Sequence, residues 1–332
     1  MRVAMKWVKI AVLTISVGVA GLTGQETNPV TEETMTREII LVVTGGRVRT
    51  EPKTEAEIIR QYTIGTRFTA VSEQPGWDEV KLGLSEECVE NTGWIAKRIT
   101  EPYDASRPGI QFQRIANKYL SREKIGFSTA KELFEYLPNA ADDAKTYEVG
   151  GDLRLKSLIA MGYALKAIPF GKSDTSPYKE FLEKYSEDVV FSEPAGEWYV
   201  KSQQYWELHQ RYRKHKIAET IAWKAAGNPL PGECEGYINC YLYLLRATQG
   251  EYLNFYPSGK FSKQAIGNIN GLLQPIVSDI QTKSSYYTTS DISDRAEFNR
   301  MLSELRKIVS RTPLLEKQAV LKQIKQIAEG YR

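Results

Sequence analysis

The 332-residue chain is poor in the side chains that hold metals or form nucleophile pairs, with three cysteines and two histidines. So few ligands leave little room for a Cys/His metal centre or a Cys–His catalytic couple. Charge of one sign is also missing: 44 Lys and Arg face 41 Asp and Glu, for a net charge of +3. A balance this even argues against a dedicated nucleic-acid binder, whose basic face raises the pI above ~9. Catalytic signatures are absent, with no G-x-S-x-G, no P-loop and no H-E-x-x-H. What remains is ordinary globular composition, 42% hydrophobic and 26% charged, in a chain long enough for two domains.

Long apolar runs are confined to the N-terminus. Arg2, Lys6 and Lys9 precede a run from Ile10 to Leu22 interrupted only by Thr14 and Ser16. A positive flank followed by a short apolar stretch reads as a secretory signal over residues 1–24, cut between Ala20 and Gln25. As a helix the run reaches only about 20 Å, short of a ~30 Å hydrocarbon core, so an uncleaved anchor is the secondary reading. No cysteine lies near the cut to accept a lipid. The mature chain is therefore expected to be exported, soluble and free of a stable membrane span, in the periplasm or outside the cell.

Export changes the reading of the thiols, because oxidising surroundings favour disulfides. Cys234 and Cys240 are six positions apart, about 9 Å along a straight helix and beyond the roughly 7 Å Cα limit of a disulfide. A bend at Gly232 and Gly236 removes the obstacle if Cys240 opens the next helix. A zinc site with His209 and His215 is disfavoured, since on one continuous helix those two face different ways. Cys88 is left over, either buried or available to pair between chains. No cofactor and no metal are expected.

Residues 25–37, rich in Thr, Glu and Asn, read as a linker. From Glu38 short strands are expected at Ile39–Val43, Val48, Ile58–Ile59, Phe68–Val71, Trp77–Leu82 and Trp94–Ile99, with Gly or Pro between them. That spacing indicates a small all-β barrel. The series Val48-Arg49-x-x-Pro52, Ile59, Gly65-Thr66-x-Phe68, Gly76-Trp77-x-x-Val80 and Gly93-Trp94-Ile95 resembles the bacterial SH3 (SH3b) domain over about residues 38–102. It departs from that pattern at Gly46-Arg47, where Leu-Asn is usual, and in the stretched turn Gly83–Thr92. The resemblance implies an SH3-like barrel that recognises peptidoglycan, through a wall peptide or glycan. Glu51, Glu73, Asp78 and Glu79 lie near the turns that would rim such a groove, placed to pair with an amino group of a wall peptide or simply solvated. Trp77 and Trp94 offer bulk for the core or the rim of a small barrel, with ligand stacking as their alternative role.

After the Pro-punctuated boundary at 102–108 helical spacing takes over. Segments are expected at Ile110–Leu120, Ser128–Leu137, Leu153–Ala167, Tyr178–Tyr185, Gly196–Ala226, Tyr237–Thr248, Phe261–Ile280, Ala296–Arg311 and Leu314–Ala328, with Pro138, Pro169 and Pro229 as stops. Together they predict an all-α array or bundle over 108–332. Tyr252-Leu253-x-x-Tyr256-Pro257-Ser258-Gly259, followed by Ala265, is similar to the helix–turn–helix junction of tetratricopeptide-like repeats. Trp198, Tyr205, Trp206, His209 and Tyr212 fall on one helical face, read as core between helices ahead of a sugar platform. The basic tail from Arg295 to Arg332 reads as a solvated face.

The sequence thus predicts a multidomain exported chain: an SH3b-like barrel for recognition, then a helical scaffold that binds an envelope protein. Carboxylate pairs such as Asp142–Asp143 and Glu233 with Glu235 would serve a glycan hydrolase only if brought together in a cleft. In the papain-like wall peptidases that accompany this β domain the Cys precedes the His, whereas Cys240 follows both histidines. A non-enzymatic binding protein is therefore the leading expectation, a protein–protein adaptor the second and a hydrolase the third.

Overall fold

The computed structural model describes residues 36–84, 90–288 and 292–331. The signal segment 1–24, most of the linker and Cys88 lie outside the described residues. Residues 35–332 form one compact unit.

The described residues begin with seven strands, β1 (Arg37–Leu41), β2 (Gly46–Arg49), β3 (Ile58–Tyr62), β4 (Arg67–Gln74), β5 (Trp77–Leu84), β6 (Glu90–Ala96) and β7 (Thr100–Pro102). They pair antiparallel in the order β3-β2-β6-β5-β4-β1-β7, leaving β3 and β7 as the edges. Val48, Phe68, Ala70, Val80 and Ile95 face a small core within the sheet. β1 differs from the other strands. Ile39, Ile40, Leu41 and Val42 are all buried, because Ile39 and Leu41 face the sheet core while Ile40 and Val42 face the helices. An unbroken apolar run is what a strand covered on both sides requires.

The helical part comprises α1 (Pro108–Leu120), α2 (Phe127–Asp142), α3 (Tyr147–Lys166), α4 (Tyr178–Lys184), α5 (Ser202–Tyr212), α6 (Ile217–Ala226), α7 (Ile238–Leu245), α8 (Glu251–Phe255), α9 (Ser262–Thr282), α10 (Ile292–Ser310) and α11 (Lys317–Gly330). Its start signals are local: Pro108 occupies the first turn of α1, and the Thr146 hydroxyl accepts the Val149 N–H at the head of α3. Residues from α1 to α6 share one core with Ile40, Val42 and Ile64 of the sheet, and α6 to α11 enclose a second.

The sheet is docked on α1 and α2 by specific bonds. The Ile64 N–H donates to Glu132 Oε2 (3.2 Å), and the Tyr119 hydroxyl donates to the Val42 carbonyl (3.1 Å). Gly65, at φ +84°, lies against the Tyr136 ring so closely that a Cβ would come within 2.0 Å of it.

The structure corrects the sequence expectation at three places. The helix expected over Gly196–Ala226 is instead the second strand of a hairpin, β8 (Val189–Ser192) with β9 (Glu197–Val200), followed by α5 and α6. The region is therefore not all-α, and Trp198 sits on a strand rather than on the aromatic face of α5. Val189, Val190 and Phe191, with Trp198, Tyr199 and Val200, are β-branched or aromatic and favour a pleated surface. Gly196, at φ +62°, closes the turn between them.

Pro138 does not stop α2 but lies inside it. Proline lacks the N–H that would bond the carbonyl four residues back, that of Phe134. The buried Ser157 hydroxyl of α3 donates to that carbonyl at 2.8 Å and takes the place of the missing N–H. Third, Trp77 and Trp94 do not fill the sheet interior. Both are half-buried and lie outside its core.

Two expectations match the structure closely. Cys234 and Cys240 are bonded with Cα atoms 5.5 Å apart, Cys240 opening α7 after a turn with φ +44° at Glu235 and +80° at Gly236. The Tyr252–Ala265 segment is a helix–turn–helix, with Tyr252 and Ala265 fully buried.

Candidate functional site

Strand periodicity decides what the sheet presents to solvent. Asp78 and Val80 of β5 and Gly93 and Ile95 of β6 are buried, so Trp77, Glu79 and Trp94 point to the opposite face. The register sets Ser72, Glu79, Trp94 and Arg49 in one row across β4, β5, β6 and β2. Trp77 stands one row further along, opposite Gln74 and Ala96. Glu79 is thus directly across from one tryptophan and two residues along its strand from the other.

The four acidic residues expected at a ligand groove separate by their partners. Glu51 is exposed and ion-paired with Lys53 at 2.5 Å. Glu73 is bound by Lys97 at 2.7 Å and Arg37 at 3.1 Å, and the Lys97 hydrogen bond and charge hold its carboxyl below the usual carboxylate range. Asp78, 2% exposed, points inward and is ion-paired with Arg37, with Lys97 at 3.7 Å. These three are neutralised within the chain. Glu79 accepts from the hydroxyls of Ser72 (2.7 Å) and Thr92 (2.6 Å) and has no ion pair among the described residues. Hydroxyl donors orient a carboxylate without cancelling its charge. The group beside Trp94 therefore keeps its capacity for a cation.

The helical part holds candidates of other kinds. His209 is 1% exposed, with Nε2 2.9 Å from the Tyr256 hydroxyl and its ring 4.7 Å from Phe255, and burial pushes its pKa down. Tyr205 and Tyr212 are buried beside it, so this face of α5 is core. Asp142 pairs with Arg154 and Asp143 lies 3.8 Å from Arg67, so each carboxylate of that pair faces its own arginine. A cleft of about 180 Å³ gathers Asp188, Glu207, Arg154 and Arg211 over Leu158 and Met161. Burial raises the Asp188 carboxyl above its ordinary value. A second cleft, of about 420 Å³, opens between the hairpin and the loop after α3.

Sequence reasoning missed both clefts. The first is assembled from residues spread over 134–211, and the misplaced helix over 196–226 hid the hairpin that walls the second. Among the described residues no group of His, Cys, Asp and Glu is arranged to hold a metal, and no helix is long and apolar enough to cross a membrane.

The chain matches no protein-family model, no curated protein and no solved structure.

Proposed function

We propose that this chain is an exported, non-enzymatic binding protein of the bacterial envelope, in which an SH3b-like barrel recognises a peptidoglycan peptide and the helical part carries a protein partner. One observation supports this reading above the others: Glu79, free of any ion pair among the described residues, lies directly across from Trp94 and two residues along β5 from Trp77 on the solvent face of the sheet. An aromatic pair flanking an open carboxylate suits a peptide that carries an amino group beside apolar methyl or methylene groups. The Cys234–Cys240 disulfide suits the oxidising compartment that export implies.

The test is co-sedimentation of the full mature chain with purified sacculi, beside its Trp94→Ala and Glu79→Gln variants. Each variant is expected to lower the bound fraction by about tenfold in affinity, the loss of one aromatic or charged contact. Wild-type protein that stays in the supernatant overturns the wall reading.

A protein–protein adaptor is the second reading, favoured by a specific feature. β3 is an edge strand whose Ile58 and Ile59 are 43% and 44% exposed, a template for a partner strand.

A further inference from the structure

The cleft beside the β8–β9 hairpin is walled by three aromatic rings. Phe170 is 92% exposed and Phe191 42%, and Trp198 completes the set. Backbone and side-chain bonds place the segments that carry them. Phe170 occupies the second position of a turn closed by the Lys172 N–H on the Pro169 carbonyl (3.0 Å), with Gly171 at φ +72° as such a turn requires. The Trp198 indole N–H donates to Ser173 Oγ at 3.1 Å, which fixes the plane of the indole. The hairpin is pinned from beneath, the Ser192 hydroxyl donating to the Pro231 carbonyl at 2.9 Å. The turn thus holds the Phe170 backbone at the rim and leaves its ring open to water. The cleft, at about 420 Å³, falls within the roughly 300–1,000 Å³ of small-molecule sites.

Three chemistries compete for such a cleft, and the lining separates them. A sugar ring needs a flat aromatic platform and free donors for its hydroxyls. The Phe191 and Trp198 rings are instead inclined at 56° with centroids 5.3 Å apart, and the indole donor is already engaged by Ser173. An anion would meet the two carboxylates of the rim, Asp174 and Glu197, with Lys166 as the one cation in the lining. Inclined rings under a net negative rim suit a compact organic cation, which aromatic faces attract through their quadrupoles. Asp174 has no ion pair among the described residues, and Glu197 accepts only the Tyr199 hydroxyl (3.2 Å). We infer that Phe170, Phe191 and Trp198, with Asp174 and Glu197, form a binding site for an alkylammonium group. The site is separate from the sheet face of the proposed function and stands or falls independently of it.

Two matched probe pairs test the inference on the full chain by ligand-observed NMR titration. Choline is compared with its neutral isostere 3,3-dimethylbutan-1-ol, and Nα-acetyl-lysine methylamide with the corresponding norleucine amide. At least one ammonium probe is expected to bind in the millimolar range and about tenfold more tightly than its neutral counterpart. Which of the two binds distinguishes a quaternary amine from a lysine-type side chain. Phe170→Ala, Asp174→Asn and Glu197→Gln should each weaken binding about fivefold, the share of one ring or one rim charge. All three side chains are exposed, so unchanged circular dichroism and melting will separate loss of binding from loss of fold. The inference is overturned by equal binding of ammonium and neutral probes, by no saturable binding of either cation, or by Phe170→Ala binding like the wild type.

Discussion

Gly65 provides a quantitative test of how the sheet meets the helices. Its φ of +84° is matched by Gly76 at +82°, but the two sites differ in surroundings. A Cβ on Gly76 has nothing within 4 Å, whereas one on Gly65 falls 2.0 Å from Cε2 and Cζ of Tyr136. Gly76→Ala should therefore register the left-handed backbone alone, about 1–2 kcal/mol. Gly65→Ala should carry the same backbone cost and, in addition, the about 1–3 kcal/mol of forcing an atom into packed space. The ring cannot swing away freely, because it stands edge-on to Phe112 at 5.4 Å. Urea unfolding of the two variants beside the wild type measures both losses, and their difference isolates the sheet–helix contact. In a Tyr136→Ala background the Gly65→Ala loss should fall to that of Gly76→Ala, since the obstacle is gone. Equal losses at Gly65 and Gly76 in the native background would refute the claim that the sheet seats on α2 through this glycine.

Further outcomes follow from other residues. Ser157→Ala should destabilise by about 1–3 kcal/mol in the same urea assay, because it strips the Phe134 carbonyl, freed by Pro138, of its donor. In a Pro138→Ala background, where the backbone supplies an N–H, that loss should shrink. Stability should fall as pH drops from 7.5 to 5.5: burial lowers the His209 pKa in the folded state, so the unfolded chain binds the extra proton below its ordinary value of 6.5. The slope reaches at most about 1.4 kcal/mol per pH unit, and thermal melts of His209→Gln across that range should be flatter. Reducing the Cys234–Cys240 disulfide, or replacing both residues with Ser, should lower stability by about 2 kcal/mol, the chain-entropy value for so short a loop. Denaturant titration with and without reductant measures it.

Much of the fold was legible because local rules decided it. The spacing of Gly65, Gly76 and the β-branched runs located the strands, and the bend at Gly236 let six-apart cysteines meet. The errors came where a distant partner overrode a local signal. Pro138 reads as a stop until Ser157 of another helix satisfies the carbonyl it releases. Gly196 read as the start of a helix because the aromatic spacing continued through it, although Val189–Phe191 already carried strand propensity. The candidate acids were visible as a group near the turns, but only the register could distinguish Glu79 from Glu73 and Asp78, whose counter-ions Arg37 and Lys97 come from outside their own hairpin.

The two-sided burial of β1 fixes how the molecule transmits load. A strand that is inner wall to the sheet and outer wall to the helices ties the two together, so a force applied at the sheet passes to α1 and α2 directly. The β-sheet is then a bracket rather than a bead on a string. Excising residues 38–102 would remove Ile40, Val42 and Ile64 and lay the helix residues that share their core, among them Phe112 and Ile115 of α1, open to water. Such a fragment would be a sticky remnant, and its behaviour would say little about the intact chain.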